Sequence, residues 1–255
     1  MARIDVNCDM GESFGVYDIG ADEEALLELV SSANVACGFH AGDPRIIDRT
    51  VSLAVRHHVA VGAHPSHHDL RGFGRREVKA SPEEVEADVV YQVGAVQAFA
   101  RAHGAPLVHV KPHGALYNQA VDDEALARAI ARGVRRVSPE LIFVGLATSK
   151  AMRAAAEAEG LRYAGEAFAD RVYNPDGTLQ SRRIAGSVIT DPVKAAKQAV
   201  EIATARRVTA HDGRAVALEA ETLCLHGDNP QALENARAVR RALEDKGIEI
   251  KGLSA

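Results

Sequence analysis

The feature that most limits how this chain can fold is the exchange of two hydrophobic rhythms along its length. Short apolar or alternating runs, the pattern of strands, take turns with stretches whose apolar residues recur every three or four positions, the pattern of helices. Strand-like runs lie at 3–8, 34–38, 59–62, 107–111, 141–144, 161–165 and 222–225, with a short terminal one at 248–250. Helical stretches fall near 22–31, from Asp43-Pro44, from the capping box at Ser81 to Gly104, around 126–137, over 149–159, from Asp191-Pro192 and after Asn229-Pro230. Residues 206–219 read as a hairpin around Asp212-Gly213. The alternation has no internal repeat, linker or break in composition, and so predicts parallel β/α units in one domain spanning 1–255. Seven or so units over this length predict a closed or nearly closed (β/α) barrel. The alternative is an open doubly wound sheet, but no G-x-G-x-x-G turn follows the first strand.

Because side chains alternate faces along a strand, parity predicts which ones enter the barrel. In the first strand Ile4, Val6 and Cys8 share one face and Asp5, Asn7 and Asp9 the other. The second sets Val35, Cys37 and Phe39 against Asn34, Ala36, Gly38 and His40, and the third ends on His64. In the fourth, Val108 and Val110 oppose His109 and Lys111; later strands bring Glu166 and then Cys224, His226 and Asp228 to the polar side. Apolar faces belong against the helices, so the polar faces point inward. Their reactive members fall at the C-terminal strand ends, where barrel enzymes keep their chemistry. The stretch 109–118, with two imidazoles and an ammonium in five residues, is the centre of that prediction.

Each residue also has a plain structural reading. A lone histidine at a strand end is more often a hydrogen-bonded packing residue, and Asp9 with Lys111 has the less favoured alternative reading of a merely internal ion pair. Ionisable groups on five strand tips are harder to explain that way, because buried charge is costly without a purpose or a partner. Cys8 and Cys37 fall on the helix-packing face, and Cys224 points inward in a packing role. Asp43 is an N-cap first, and His57-His58 sits at a helix end that suits cations. Arg71, Arg75 and Arg76 form either a solvated loop or a mobile anion-binding lid. Asp9, His40, His64 and His113 could hold a divalent metal, although no close-spaced pair such as H-E-x-x-H enforces one. No G-x-x-x-x-G-K-[ST] phosphate loop is present.

Composition narrows the partners. A formal charge of −5 with no basic block argues against nucleic acid or an anionic membrane surface. Three scattered cysteines, no apolar run long enough to span a bilayer and no signal-like start predict a soluble, cytoplasmic protein.

Seven motifs then occur in order: Asp5-Val-Asn-Cys-Asp-Met-Gly-Glu12, Asn34-Val-Ala-Cys-Gly-Phe-His-Ala-Gly-Asp-Pro44, Gly62-Ala-His-Pro-Ser66, Asp69-Leu-Arg-Gly-Phe-Gly-Arg-Arg76, His109-Val-Lys-Pro-His-Gly-Ala-Leu-Tyr-Asn118, Glu166-Ala-Phe-Ala-Asp-Arg-Val-Tyr173 and Cys224-Leu-His-Gly-Asp228. Together they resemble the LamB/YcsF family over residues 3 to about 247. One departure is Ser66-His-His-Asp-Leu70, where the family usually has Ser-Tyr-Pro-Asp-Leu; no family role is carried onto His67 or His68. The resemblance implies a barrel similar to the glycoside hydrolase/deacetylase superfamily. It also implies an ATP-dependent 5-oxoprolinase activity, 5-oxo-L-proline going to L-glutamate, exerted with partner subunits B and C. On that reading Asp9, His40, His64, Lys111 and His113 are the catalytic candidates. Asn7, Glu12, Asp43, Asp69, Arg75, Glu166, Asp170, His226 and Asp228 are the substrate-binding ones. Two rival readings are a stand-alone, metal-dependent, deacetylase-like hydrolase and a non-catalytic lactam-binding subunit.

Overall fold

The structure, a computed structural model, describes residues 2–18, 22–226 and 231–254. Asp228 and the Asn229-Pro230 cap lie outside the described residues. The first half runs β1 (Arg3–Met10), α1 (Glu23–Leu27), β2 (Ser32–Ala36), α2 (Pro44–Arg56), β3 (Ala60–His64), α3 (Pro82–Ala102), β4 (Leu107–Val110), α4 (Gly114–Ala120) and α5 (Glu124–Val137). It continues β5 (Ile142–Leu146), α6 (Lys150–Ala158), β6 (Tyr163–Phe168), α7 (Pro192–Ala205), β7 (Arg207–Thr209), β8 (Ala215–Ala217), β9 (Thr222–Leu225), α8 (Ala232–Asp245) and β10 (Glu249–Ile250).

Strands β1 to β6 pair in sequence order, β6 pairs with β9, and β9 returns to β1, all in parallel. The result is a closed seven-stranded barrel wrapped by helices, a (β/α)7 barrel. The terminal strand β10 pairs with Arg3 and Ile4 of β1, just before the stretch of β1 that β9 takes. The hairpin β7–β8 is antiparallel and stands apart from the barrel sheet.

The parity expected for β1 holds. Ile4, Val6 and Cys8 join the large core that also contains helix residues such as Val51, Val89, Ile130 and Val239. Asp5, Asn7 and Asp9 are buried too, but their partners are polar groups on neighbouring strands. Toward the other end of the interior, Ala164 shares a face with Glu166 and packs on Ile142, Val144 and Leu253. The barrel is therefore apolar at its foot and charged toward the C-terminal strand ends.

Caps fix where each helix leaves the barrel rim. Asp43 accepts from the Arg45 and Ile46 amides, Ser81 and Glu84 form a complete capping box, and Asp191 caps α7. Each such cap is worth about 0.5–2 kcal/mol. Several boundaries differ from the sequence reading. Helix α1 is only five residues long, and β2 begins and ends two residues earlier than expected. Gly38, Phe39 and His40 thus lie beyond the strand, on the loop that carries His40 into the site. Helix α4 has no apolar period long enough to reveal it, and its N-cap, His113, makes no side-chain cap bond.

Candidate active site

The barrel interior holds a layered polar network. At its lowest level the Asp5 carboxylate accepts from Ser31 and Ser32, each at 2.7 Å, and from Thr222 at 2.5 Å. Burial pushes Asp5 up to about 6, against the pull of those hydroxyls. One layer up, Asn7 donates to Glu166 Oε1 at 3.0 Å and to Thr222 at 2.6 Å. Asn34 donates to Asn7 at 2.7 Å and to Asp9 Oδ1 at 2.9 Å, and takes a bond from His109 Nε2 at 2.7 Å. Burial, then Lys111 and His64, brings His109 down to about 3, so its ring is a neutral donor. Gly62 makes room for that ring: a Cβ there would lie 2.1 Å from His109 Nε2.

Lys111 occupies the centre. Its Nζ lies 2.9 Å from Asp9 Oδ1, 3.0 Å from Glu166 Oε1, 3.2 Å from Asn7 Oδ1 and 3.0 Å from Cys224 Sγ. Four acceptors surround an ammonium with three hydrogens. Burial would neutralise Lys111, but the charges of Asp9 and Glu166, with the hydrogen bond accepted by Cys224, outweigh it and hold the ammonium well above its ordinary range. Burial likewise opposes ionisation of Asp9, yet His64 and Lys111 hold its carboxyl well below the usual carboxylate range. The Cys224 thiol is pushed well up by burial, and it remains a thiol beside the ammonium.

Above Lys111 three imidazoles cluster. His40 stacks flat on His113, with centroids 3.7 Å apart and planes 3° from parallel, and its Nε2 donates to Glu12 Oε1 at 3.1 Å. His64 Nδ1 donates to the Lys111 carbonyl at 2.6 Å, and His113 Nε2 to the Phe73 carbonyl at 2.9 Å. Their other nitrogens meet at 2.9 Å. Burial, reinforced by the neighbouring rings, holds His40 and His113 well below the ordinary histidine range. One atom each from Asp9, Glu12, His64 and His113 lies within 4.8 Å of the others, an arrangement that could hold a metal ion; Asp9, Cys224 and His226 form a second such group. His40 turns to Glu12, and Glu12 and His113 join Asp9 and His64 in the first group.

A cavity of about 800 Å³ opens over this floor, with Asp9, His64, Lys111, His113 and His226 among its lining residues. Opposite the histidines, His226 stacks on Phe168 and donates from Nδ1 to Asp170 at 2.9 Å. Asp170 is buried, yet the imidazole beside it keeps its carboxyl below the usual range. Arg75, Arg171, Arg182 and Arg183 also line the cavity. Arg75 lies over the Phe73 ring at 4.9 Å.

Of the residues expected from the sequence, Asp9, His64, Arg75, Lys111, His113 and His226 line the cavity. Asn7, Glu12, His40, Glu166 and Asp170 lie behind them and hold them in place. Asp43 caps α2 and accepts from Gly15, and Asp69 ties the 70–72 turn to Arg76, so both serve loops. Sequence reasoning left out of the site Asn34, Thr222 and Arg171. Parity already put Asn34 inward, but nothing in 166–190 marks Arg171 as a cavity residue.

The profile of the LamB/YcsF family matches residues 4–255. The 5-oxoprolinase A-subunit of Natranaerobius thermophilus is 51% identical over 253 residues, covering 99% of this chain and 98% of that protein. The crystal structure of a lactam utilization protein from Thermus thermophilus superimposes with a TM-score of 0.93 at 49% identity, over 98% of this chain and 100% of that one. The catalytic domain of a peptidoglycan N-acetylglucosamine deacetylase from Eubacterium rectale shares the fold at a TM-score of 0.53 and 9% identity, covering 100% of this chain and 89% of that one. The chain belongs to the LamB/YcsF family.

Proposed function

We propose that this chain is the A-subunit of a cytoplasmic ATP-dependent 5-oxoprolinase and that it opens the lactam ring of 5-oxo-L-proline to give L-glutamate, together with subunits B and C. The substrate comes from the name of the relative that is 51% identical along the full chain. The chemistry rests on one observation: a buried ammonium, Lys111, set at the floor of a cavity beside the ionised Asp9. The balance is 5-oxoproline, ATP and two waters going to glutamate, ADP and phosphate. ATP supplies the driving force by activating the lactam carbonyl oxygen. This chain carries no G-x-x-x-x-G-K-[ST] phosphate loop.

The chain's own residues perform the ring opening. Asp9 and His64 take the proton of the attacking water, and Lys111 stabilises the negative charge that gathers on the carbonyl oxygen. Once ATP has phosphorylated the carbonyl oxygen, water adds at C5, the C5–N bond breaks as His226, aligned by Asp170, delivers a proton to the departing nitrogen, and a second water hydrolyses the resulting acyl phosphate to glutamate and phosphate. A fixed tautomer suits that task, because the Nδ1–H bond to Asp170 leaves Nε2 for the transfer. Arg75 and Arg171 on the cavity wall match the substrate carboxylate or a phosphoryl group by planar paired hydrogen bonds.

The test is reconstitution. Glutamate and ADP are measured with subunits B and C alone, with this chain alone and with all three. The reading expects equimolar glutamate and ADP only from the full set. Glutamate release at an unchanged rate without this chain overturns it.

A further inference from the structure

The cavity wall holds a buried positive charge that no carboxylate matches. Arg171 is only 5% exposed, and its guanidinium is pinned by main-chain carbonyls, Nε donating to Ser187 at 3.4 Å and Nη2 to Gln180 at 2.6 Å. Neither it nor the half-buried Arg182 forms an ion pair among the described residues. The two guanidiniums repel each other: burial, then Arg182, bring Arg171 down to about 10. Asp170 acts on both arginines but is already engaged, accepting from the amide and from Nδ1 of His226. A desolvated charge is costly without a counter-charge. The two carbonyls use only part of the five N–H groups of Arg171, and the rest are left for the cavity that Arg171 and Arg182 both line.

The place of this pair along the cavity decides which anion fits. Lys111 Nζ lies 3.0 Å from Cys224 Sγ, and Cys224 and Asp9 each bring an atom within 4.8 Å of a His226 ring nitrogen. Phe168 stacks on His226 and lies 5.5 Å from Lys111 Nζ, an apolar surface shared by both. Asp170 holds His226, and Arg171 is the next residue in the chain. The order is therefore ammonium, imidazole, guanidinium pair. 5-Oxo-L-proline carries its groups in the same order: carbonyl oxygen, ring nitrogen, then a carboxylate on the carbon beyond the nitrogen. An activating phosphoryl group belongs on the carbonyl oxygen, at the Lys111 end, which leaves the Arg171 end to the carboxylate. Arg75 stands on the other wall, over Phe73, whose ring meets His113 edge-on.

We propose that Arg171 and Arg182 hold the carboxylate of the lactam and make the site specific for lactams that carry a carboxylate next to the ring nitrogen, an assignment that rests on the activity proposed above. A pinned, planar guanidinium binds a carboxylate through paired hydrogen bonds and fixes its direction. With the carboxylate anchored there, the ring nitrogen falls at His226 and the carbonyl at Lys111. A lactam without the carboxylate leaves Arg171 buried and unpaired, which is how a polar site rejects an analogue lacking one group.

The full-length chain is titrated calorimetrically with 5-oxo-L-proline and with 2-pyrrolidinone, the same ring without the carboxylate. The variants are Arg171→Met, Arg182→Met and Arg162→Met; Arg162 is paired with Glu221 at the surface and controls for lost charge. Arg182 is only half-buried, so R182M keeps the test open if R171M does not fold by circular dichroism. Wild type and R162M should bind 5-oxo-L-proline about 10- to 100-fold more tightly than 2-pyrrolidinone, the range for hydrogen bonds to a charged group, and R182M should lose that preference. No preference in the wild type, or an undiminished one in R182M, overturns the assignment. Turnover by the complex with subunits B and C is read separately, and R182M should raise KM for 5-oxo-L-proline about 10- to 100-fold with little change in kcat. An unchanged KM beside normal glutamate release overturns the carboxylate site and leaves the activity standing. A wild-type complex that makes no glutamate overturns the activity, and the titration still decides the carboxylate site.

Discussion

Lys111 Nζ lies 2.9 Å from Asp9 Oδ1, with the two side chains only 3% and 7% exposed. Glu166 Oε1, fully buried, stands 3.0 Å from the same nitrogen. Two carboxylates and one ammonium are thus held in a space that water barely reaches, and desolvation alone would make that arrangement unfavourable. The hydrogen bonds from Asn7 and Asn34 to these carboxylates offset part of that cost. Such an arrangement is worth keeping where charge is needed for chemistry.

Removing the lysine leaves two carboxylates without their counter-charge. K111M is expected to lose on the order of 3–5 kcal/mol of stability. Adding E166Q should return part of it, with a coupling of about 1–3 kcal/mol. Thermal or urea unfolding of the wild type, both single variants and the double variant measures this. Additive effects would show that Lys111 and Glu166 do not interact.

Asp5 gives a pH signature. Its folded value, about 6, lies above the ordinary 3.8, so between those values the folded chain keeps a proton that the unfolded chain has released. Stability therefore falls as pH rises through that window and is level above it. D5N cannot ionise. Its stability relative to wild type should improve by about 3 kcal/mol between pH 3.5 and pH 7.5, given about 1.4 kcal/mol per pKa unit. Unfolding of both proteins across that range checks it, and a constant difference would show that Asp5 is not raised.

Two glycines should answer the same substitution in opposite ways. At Gly62 an added Cβ falls 2.1 Å from His109 Nε2, so G62A must displace the ring that bonds Asn34; a loss of about 2–4 kcal/mol is expected. At Gly94, inside α3, nothing lies within 4 Å of the added Cβ. G94A should stabilise by about 0.5–1 kcal/mol through helix propensity. Thermal midpoints of the two variants decide.

Asp170 holds His226, which lines the cavity. D170N keeps the shape but loses the charge that fixes the Nδ1–H tautomer. In the reconstituted complex kcat should fall about 10- to 100-fold with little change in KM, and the alkaline or acid limb of the pH profile should move. An unchanged profile would remove His226 from proton transfer.

Much of this was legible in the sequence because side chains alternate along a strand, although the register shift between β3 and β4 sets Val108, expected on the helix face, against the interior residues Ile142, Val144, Ala164 and Leu253. Asp5, Asn7 and Asp9 on β1, and His109 and Lys111 leading off β4, could be set inward by counting alone. Counting fails past a strand end. His40 and Glu12 lie on loops beyond β2 and β1, and their pairing depends on a turn that no period describes. The tie between Gly62 and His109 joins residues 47 apart and is a matter of shape between neighbouring strands. Arg171 reaches the cavity from an irregular segment, where local sequence carries no periodic signal.

We propose that Lys111 and its carboxylates carry out lactam opening in this chain. The most direct measurement is a single turnover of 5-oxoproline and ATP by the complex assembled with subunits B and C, comparing wild type with K111M shown to be folded and assembled. Glutamate formation is expected to fall at least 100-fold with K111M while assembly is unchanged. Glutamate formed at the wild-type rate by the K111M complex would contradict it.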